Sequence, residues 1–139
     1  MKQLFLFVLM AAGMAAASCK KDKKPAPAPD YNGTPNVVSG VWMRDVYTIA
    51  SIAPAYYNYG FGTNYIYEKV TGTPDDKKTE RGSYTLSPVT GSPGAYTIQL
   101  KPGSGNAYTV HVTELTGSKA VFEESQPQTK FGFVKIPRQ

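Results

Sequence analysis

The clearest structural pattern in the chain lies in residues 96–113, which read YTIQLKPGSGNAYTVHVT. Tyr96, Ile98 and Leu100 alternate with polar residues, and after a Pro-Gly-Ser-Gly-Asn turn the alternation returns with apolar residues at 108, 110 and 112. An apolar residue at every second position places one face of a β-strand in a core. A short connection containing glycine joins antiparallel neighbours. The stretch therefore predicts a β-hairpin.

Outside this hairpin, Gly, Pro, Ser and Asp residues mark further turns at short intervals. We expect about eight strands, near residues 39–48, 56–61, 63–70, 80–87, 95–101, 107–115, 118–124 and 130–137. Such short connections favour antiparallel neighbours, and a meander of eight strands has to close or pair two sheets to protect its edges. The predicted fold class is all-β, an up-and-down antiparallel barrel of about eight strands, with at most one helical turn at 48–57.

The N-terminus has the parts of an export signal. Residues 1–18 carry Lys2, then an apolar run too short for a bilayer-spanning helix, which needs about 20 residues. Ala-Ala-Ser precedes Cys19, the one cysteine of the chain. The pattern resembles the signal of bacterial lipoproteins, which implies that Cys19 becomes the acylated first residue, carrying palmitate-type chains. The alternative is cleavage after the Ala-x-Ala at 15–17, which would leave a secreted protein with a free thiol.

The positive charge of the chain is concentrated after Cys19. The whole chain carries +5, residues 20–24 alone carry +3, and from Pro25 onward ten basic residues face nine acidic ones. A nearly neutral folded part gives no support to nucleic-acid binding. The lysines either lie against anionic lipid head groups or only keep the segment solvated.

Alternating Pro and Ala at residues 25–29 predict an extended, semi-rigid spacer. We therefore divide the chain into a lipoprotein signal peptide at 1–18, a lipidated Lys- and Pro-rich tether at 19–36, and a β domain at 37–137. A domain of roughly 100 residues has room for one core.

The first expected strand contains Gly40-Val41-Trp42, which resembles the Gly-x-Trp motif of lipocalin-like domains. An aromatic hairpin, a strand start and a Phe-Gly-Phe ending follow in the order found in lipocalin-like lipoproteins of Bacteroidetes-type bacteria, at residues 57–67, 80–84 and 131–133. The resemblance implies that Trp42 closes one barrel end against a basic side chain near the C-terminus, either Lys135 or Arg138.

The resemblance also implies a small apolar or amphipathic ligand inside the barrel, with tyrosine hydroxyls orienting its polar end. The expected lining residues are Trp42, Tyr59, Phe61, Tyr84, Tyr96, Tyr108 and Phe133. The alternative is that these rings only pack the core and pair across strands. The apolar link at 49–54 is either a lid over the ligand or a loop that hides the barrel end.

Catalytic and metal-binding patterns are missing from the sequence. His111, the sole histidine, lies opposite the apolar stripe of its strand, so we expect a solvated surface residue rather than part of a Ser-His-Asp triad. One histidine and an acylated cysteine cannot supply a tetrahedral metal site. Residues 75–80 lack the spaced oxygens of a calcium loop and predict a charged hairpin tip. We expect no enzyme, cofactor or metal.

Together these patterns predict a lipoprotein of the cell envelope, lipid-anchored in the outer membrane on its periplasmic or surface leaflet. Its expected partners are the membrane, through the anchor, and a small hydrophobic ligand. The alternative function is that of a ligand-free structural or accessory lipoprotein, which contacts a protein or glycan partner through surface aromatic residues.

Overall fold

The computed structural model describes residues 24–45, 56–125 and 128–137. Regular structure in these residues is entirely β, with no helix among them. The strands are β1 (Gly40–Arg44), β2 (Tyr56–Phe61), β3 (Ile66–Gly72), β4 (Lys77–Pro88), β5 (Tyr96–Pro102), β6 (Tyr108–Thr113), β7 (Lys119–Ser125) and β8 (Gln128–Lys135).

Each strand pairs antiparallel with its neighbour in sequence, and β1 pairs with β8 to close the barrel. The prediction of an all-β, eight-stranded up-and-down barrel of lipocalin-like architecture is confirmed. The signal peptide, Cys19, Arg138 and the link at 49–54 lie outside the described residues. Most of the segment expected to hold one helical turn also lies outside them, and its last two residues, Tyr56 and Tyr57, begin β2.

The strand order gives the barrel two distinct ends. The lower end carries the start of β1, the turns at 62–65, 89–95 and 114–118, and the end of β8. The upper end carries the end of β1 and the turns at 73–76 and 103–107. Because side chains alternate along each strand, every second residue points inward, and the inward residues form layers between the two ends.

Aromatic rings fill the lower half of the interior. The rings of Phe122 and Phe133 stack at 4.6 Å between centroids, and Trp42 lies 5.6 Å from Phe122. Phe61 lies 6.1 Å from the same Phe122 ring, and all four side chains are buried. Ring pairs at these separations add to the hydrophobic stabilisation of a core. The lower half is therefore a packed floor.

Residues 36–39 cover this floor from below. Val38 is fully buried, and its carbonyl accepts a 2.8 Å hydrogen bond from Nε1 of Trp42. The Asn36 side chain donates to the Tyr84 hydroxyl at 2.8 Å, and that hydroxyl donates to the carbonyl of Gly62 at 2.7 Å. The lower end is thus closed by a hydrogen-bonded turn.

The expected contact between the tryptophan and a basic residue is present. Trp42 and Lys135 are register neighbours on β1 and β8, and the Lys135 ammonium lies 5.3 Å from the Trp42 ring. Gly40 has a φ of 127° and lies against the Lys135 stem, where a β-carbon would overlap it. The positive φ favours glycine at this position, and a larger residue would also have to displace the Lys135 side chain.

Part of the expected spacer contacts the barrel, a feature that the proline pattern does not indicate. We call residues 26–33 the strap. The Thr63 amide donates to the carbonyl of Asp30 at 2.6 Å, and the Asn64 side chain donates to the carbonyl of Ala28 at 3.1 Å. The Tyr31 hydroxyl lies against Gly60, where a β-carbon would overlap it. The strap therefore packs along the turn between β2 and β3.

Candidate ligand site at the upper end

Charged residues occupy inward positions in the upper half of the barrel. Arg44 follows Trp42 by two residues on β1, and Glu124 follows Phe122 by two residues on β7. Tyr59, Lys69 and Glu80 are register neighbours across β2, β3 and β4. The strand alternation that buries the aromatic floor thus directs these charges into the same interior, one layer higher.

Glu124 is the centre of the first polar group. It is only 1% exposed, and its Oε1 accepts hydrogen bonds from the hydroxyls of Tyr57, at 2.7 Å, and Tyr59. The Lys69 ammonium lies 2.9 Å from each carboxylate oxygen. Removing a carboxylate from water costs several kcal/mol unless it is paired and hydrogen-bonded, and Glu124 has both kinds of partner.

Aromatic faces surround the Lys69 ammonium. It lies 5.1 Å from the ring centroid of Tyr57, 5.5 Å from that of Tyr59 and 5.3 Å from that of Tyr108. A cation within about 6 Å of a ring face is attracted by the ring quadrupole. Lys69 therefore joins tyrosines of β2 and β6 into one cluster.

Glu80 forms a second polar group beside the first. Its Oε1 accepts hydrogen bonds from the hydroxyls of Tyr67, at 2.7 Å, and Tyr108, at 2.6 Å. The interpretation of this stretch as a charged hairpin tip is wrong for Glu80, because β4 already begins at Lys77 and the residue shares the inward face of that strand with Tyr84. Glu80 also borders an open groove of about 660 Å³ at the upper rim, together with Ala26 and Ser104.

The hydroxyls of this cluster are held in their protonated form. Burial raises the pKa of Tyr59 well above its ordinary value, and the negative charge of Glu124 raises it further. Burial is also the main cause of the raised pKa of Tyr57, Tyr67 and Tyr108. All four hydroxyls are therefore hydrogen-bond donors at neutral pH.

Arg44 completes the upper layer. It is 7% exposed, and its guanidinium carbon lies 3.7 Å from the ring centroid of Phe131. Phe131 in turn contacts the ring of Tyr57 at 5.1 Å between centroids. Within the described part of the chain, Nε and Nη1 of Arg44 are buried and have no hydrogen-bond partner.

The expected lining residues divide between the two halves. Tyr59 and Tyr108 belong to the upper cluster. Tyr96, partly buried, packs against the lower core. The others are buried among rings or under the lower turn: Trp42, Phe61, Tyr84 and Phe133. Sequence reasoning missed the charged residues that point inward. Each of them lies an even number of positions from an inward apolar or aromatic residue of its own strand, which is the signal that could have found it: Arg44, Lys69, Glu80 and Glu124.

The grooves on the described surface do not form a deep calyx. Four open depressions of about 290 to 660 Å³ lie along the strap, the rims and the lower turns. None of the four is lined by Tyr57, Tyr59 or Glu124. Of the charged residues in the cluster, Glu80 borders one of these four depressions, the groove at the upper rim.

His111 is exposed on β6, as expected. Across residues 24–45, 56–125 and 128–137, no group of three or more His, Cys, Asp or Glu side chains is placed to hold a metal ion. The same residues contain no helix long and apolar enough to cross a bilayer.

In comparisons with known proteins, no family model, no curated protein and no solved structure matches this chain.

Proposed function

We propose that the protein is a lipid-anchored envelope lipoprotein whose barrel binds a small amphipathic ligand at its upper end. The observation that carries the proposal is the buried cluster of tyrosines around Lys69, Glu80 and Glu124, above a packed aromatic floor. Replacing buried ion pairs by apolar residues is often neutral or stabilising. A barrel filled with this cluster is therefore not expected to be more stable than one filled with apolar residues. This supports a role of the cluster in ligand recognition.

The arrangement suits a molecule with one apolar and one polar part. Phe131 and the ring of Tyr57 offer an apolar surface at the upper layer, and tyrosine oxygens and charges lie beside them. Ligand sites typically combine apolar and aromatic walls with a few placed polar groups. Because the lower half is filled, the ligand contacts the barrel at the rim and in its upper layer.

The strap supports a membrane source for the ligand. Ala26 borders the same upper-rim groove as Glu80 and Ser104. If Cys19 carries acyl chains, the five residues from Lys24 back to Cys19 span at most about 18 Å. The upper end would then lie close to the bilayer of the outer membrane, on its periplasmic or surface leaflet.

Ligand binding can be measured on a chain that begins at Lys20, which keeps every described residue. We expect saturable binding of medium-chain amphiphiles, followed by the fluorescence of Trp42 and the tyrosines. A Tyr108→Phe, Tyr59→Phe double variant should bind more weakly, and a Tyr65→Phe variant, altered in an exposed residue of the lower end, should bind as the wild type does. Absence of saturable binding by any amphiphile would argue against the proposal.

The anchor needs its own test. Cells expressing the full chain and grown with labelled palmitate should yield a labelled protein in the membrane fraction, and a Cys19→Ala variant should remain unlabelled. An unmodified mature mass for the wild type would contradict lipidation and leave ligand binding to be judged separately.

A second candidate function is that of an accessory module that contacts a protein or glycan partner. In the described chain, four of the five exposed large apolar side chains lie at the lower end: Val37, Tyr65, Val89 and Ile136. Exposed apolar surface is typical of interaction sites. A photo-crosslinking residue at position 65 should then capture one specific partner in cells, and a crosslinker at position 101 on the outer face of β5 should not.

A further inference from the structure

We propose that Arg44 is the anion-binding residue of the upper end, and that the ligand is a carboxylate with an apolar body. This inference rests on the proposed ligand site and names the charge of its ligand. It starts from Arg44, the one inward cation of the described upper layer that has no carboxylate partner among the described residues.

The position of Arg44 is fixed by the barrel. It is the last residue of β1, has Phe133 as its register neighbour on β8, and points inward like Trp42. The following amide, that of Asp45, donates to the carbonyl of Gly132 at 2.8 Å and holds this end of β1 against β8. The backbone that carries Arg44 is therefore held in place by the pairing of β1 with β8. One face of the guanidinium is covered by Phe131.

The other charges of the upper interior already have partners. Lys69 pairs with Glu124, and Glu80 accepts two tyrosine hydroxyls. Arg44 forms no ion pair with any carboxylate of the described residues, and its Nε and Nη1 have no hydrogen-bond partner there. The undescribed stretches that link β1 to β2 and β7 to β8, residues 46–55 and 126–127, contain no Asp or Glu in their sequence.

A buried guanidinium with unmade hydrogen bonds is energetically unfavourable, because it has lost water without gaining a countercharge. A bound anion would supply both the charge and the acceptors. Guanidinium groups match carboxylates in planar geometry, and hydrogen bonds between the two ions are stronger than those between neutral groups. Because Phe131 covers one face and contacts Tyr57, an apolar body has a surface to pack on beside the bound anion.

The test compares dodecanoate with dodecanol, both below their micelle concentrations, on the chain that begins at Lys20. The strap and the closed barrel lie within residues 24–137, so this chain keeps the whole described unit. We expect the wild type to prefer dodecanoate by about tenfold or more, the size of one strong charged contact. Arg44→Gln should remove this preference by weakening the binding of dodecanoate about tenfold or more relative to that of dodecanol.

Two controls separate charge from geometry and from folding. Lys101→Gln removes an exposed lysine on the outer face of β5 and should keep the preference for dodecanoate. Arg44→Lys retains the charge without the planar guanidinium and should give an intermediate preference. Arg44→Gln and Arg44→Lys should both show the circular dichroism spectrum of the wild type. Arg44→Met should melt at or above the wild-type temperature, because the substitution removes a buried charge that has no countercharge.

The outcomes distinguish this inference from the proposed function. Equal affinity of the wild type for acid and alcohol, or a preference that survives in Arg44→Gln, would overturn the role of Arg44 and leave the ligand site standing. Absence of binding by both compounds would overturn the ligand site as well. Dodecyl phosphate bound more tightly than dodecanoate would contradict the carboxylate and indicate a phosphate-bearing lipid.

Discussion

Lys69 and Glu124 form an ion pair inside the barrel, with the lysine ammonium 2.9 Å from both carboxylate oxygens and the glutamate 1% exposed. The two residues come from β3 and β7, on different sides of the interior. Tyrosine hydroxyls and ring faces surround the pair. The upper layer is therefore held together by charge and hydrogen bonds, in contrast to the aromatic floor beneath it.

This pair predicts unequal effects of single and double substitutions. Lys69→Met leaves the Glu124 charge buried without its countercharge and should lower the free energy of unfolding by about 3 kcal/mol. The Lys69→Met, Glu124→Leu double variant should recover most of that loss, giving a coupling energy above about 1 kcal/mol in a double-mutant cycle measured by urea unfolding. Additive effects of the two single variants would contradict the pairing.

The buried tyrosines predict a loss of stability at alkaline pH. Burial raises the folded-state pKa of Tyr57, Tyr59, Tyr67 and Tyr108 above the value of 10.0 that they take when exposed. Above pH 10 the unfolded chain therefore releases protons that the folded chain retains. Their contribution to stability is complete below pH 10 and falls as the pH rises beyond it.

This prediction can be checked by unfolding in urea at a series of pH values from 8 to 11, together with the tyrosinate absorbance. Part of the absorbance of the ten tyrosines should appear only when the barrel unfolds. A Tyr67→Phe variant should show a shallower decline. If all ten ionised near pH 10 with the barrel still folded, the hydroxyl cluster would not be buried as described.

The strap predicts a local effect of substitution at a glycine. Gly60→Ala places a methyl group against the Tyr31 hydroxyl and should displace the strap without opening the barrel. Hydrogen exchange of the amides at 30 and 33 should speed up, and the exchange of β5 and β6 should stay as it is. Gly103→Ala is the matched control, since its nearest neighbour, the Arg81 carbonyl, is 3.5 Å away. Equal exchange rates in the variant and the wild type would show that Tyr31 does not hold the strap.

The barrel was predictable because its signal is local. Alternation and turn residues place the hairpin of β5 and β6 within one residue at each start, at Tyr96 and Tyr108. The strap was not predictable in this way, because its contacts join residues such as Ala28 and Asn64, which are 36 positions apart. No short-range pattern reports such a contact.

The polar upper layer was only partly predictable. Tyr59 and Tyr108 were expected to face the interior, and they do. The expected lining residues included no charged residue, yet Glu123 and Glu124 are adjacent on β7, so strand alternation requires one of them to face the core. Glu124 is the inward one because it shares parity with Phe122. The alternation along β7 does not indicate that tyrosines of other strands donate hydrogen bonds to the Glu124 carboxylate.

The most direct test of ligand binding at the upper end is an NMR titration of the protein with ¹³C-labelled tyrosine rings. On addition of dodecanoate, we expect saturable shifts confined to Tyr57, Tyr59, Tyr67 and Tyr108, with the signals of Tyr65, Tyr84 and Tyr96 unchanged. Shifts confined to the tyrosines of the lower end, or no saturable shift at all, would contradict it.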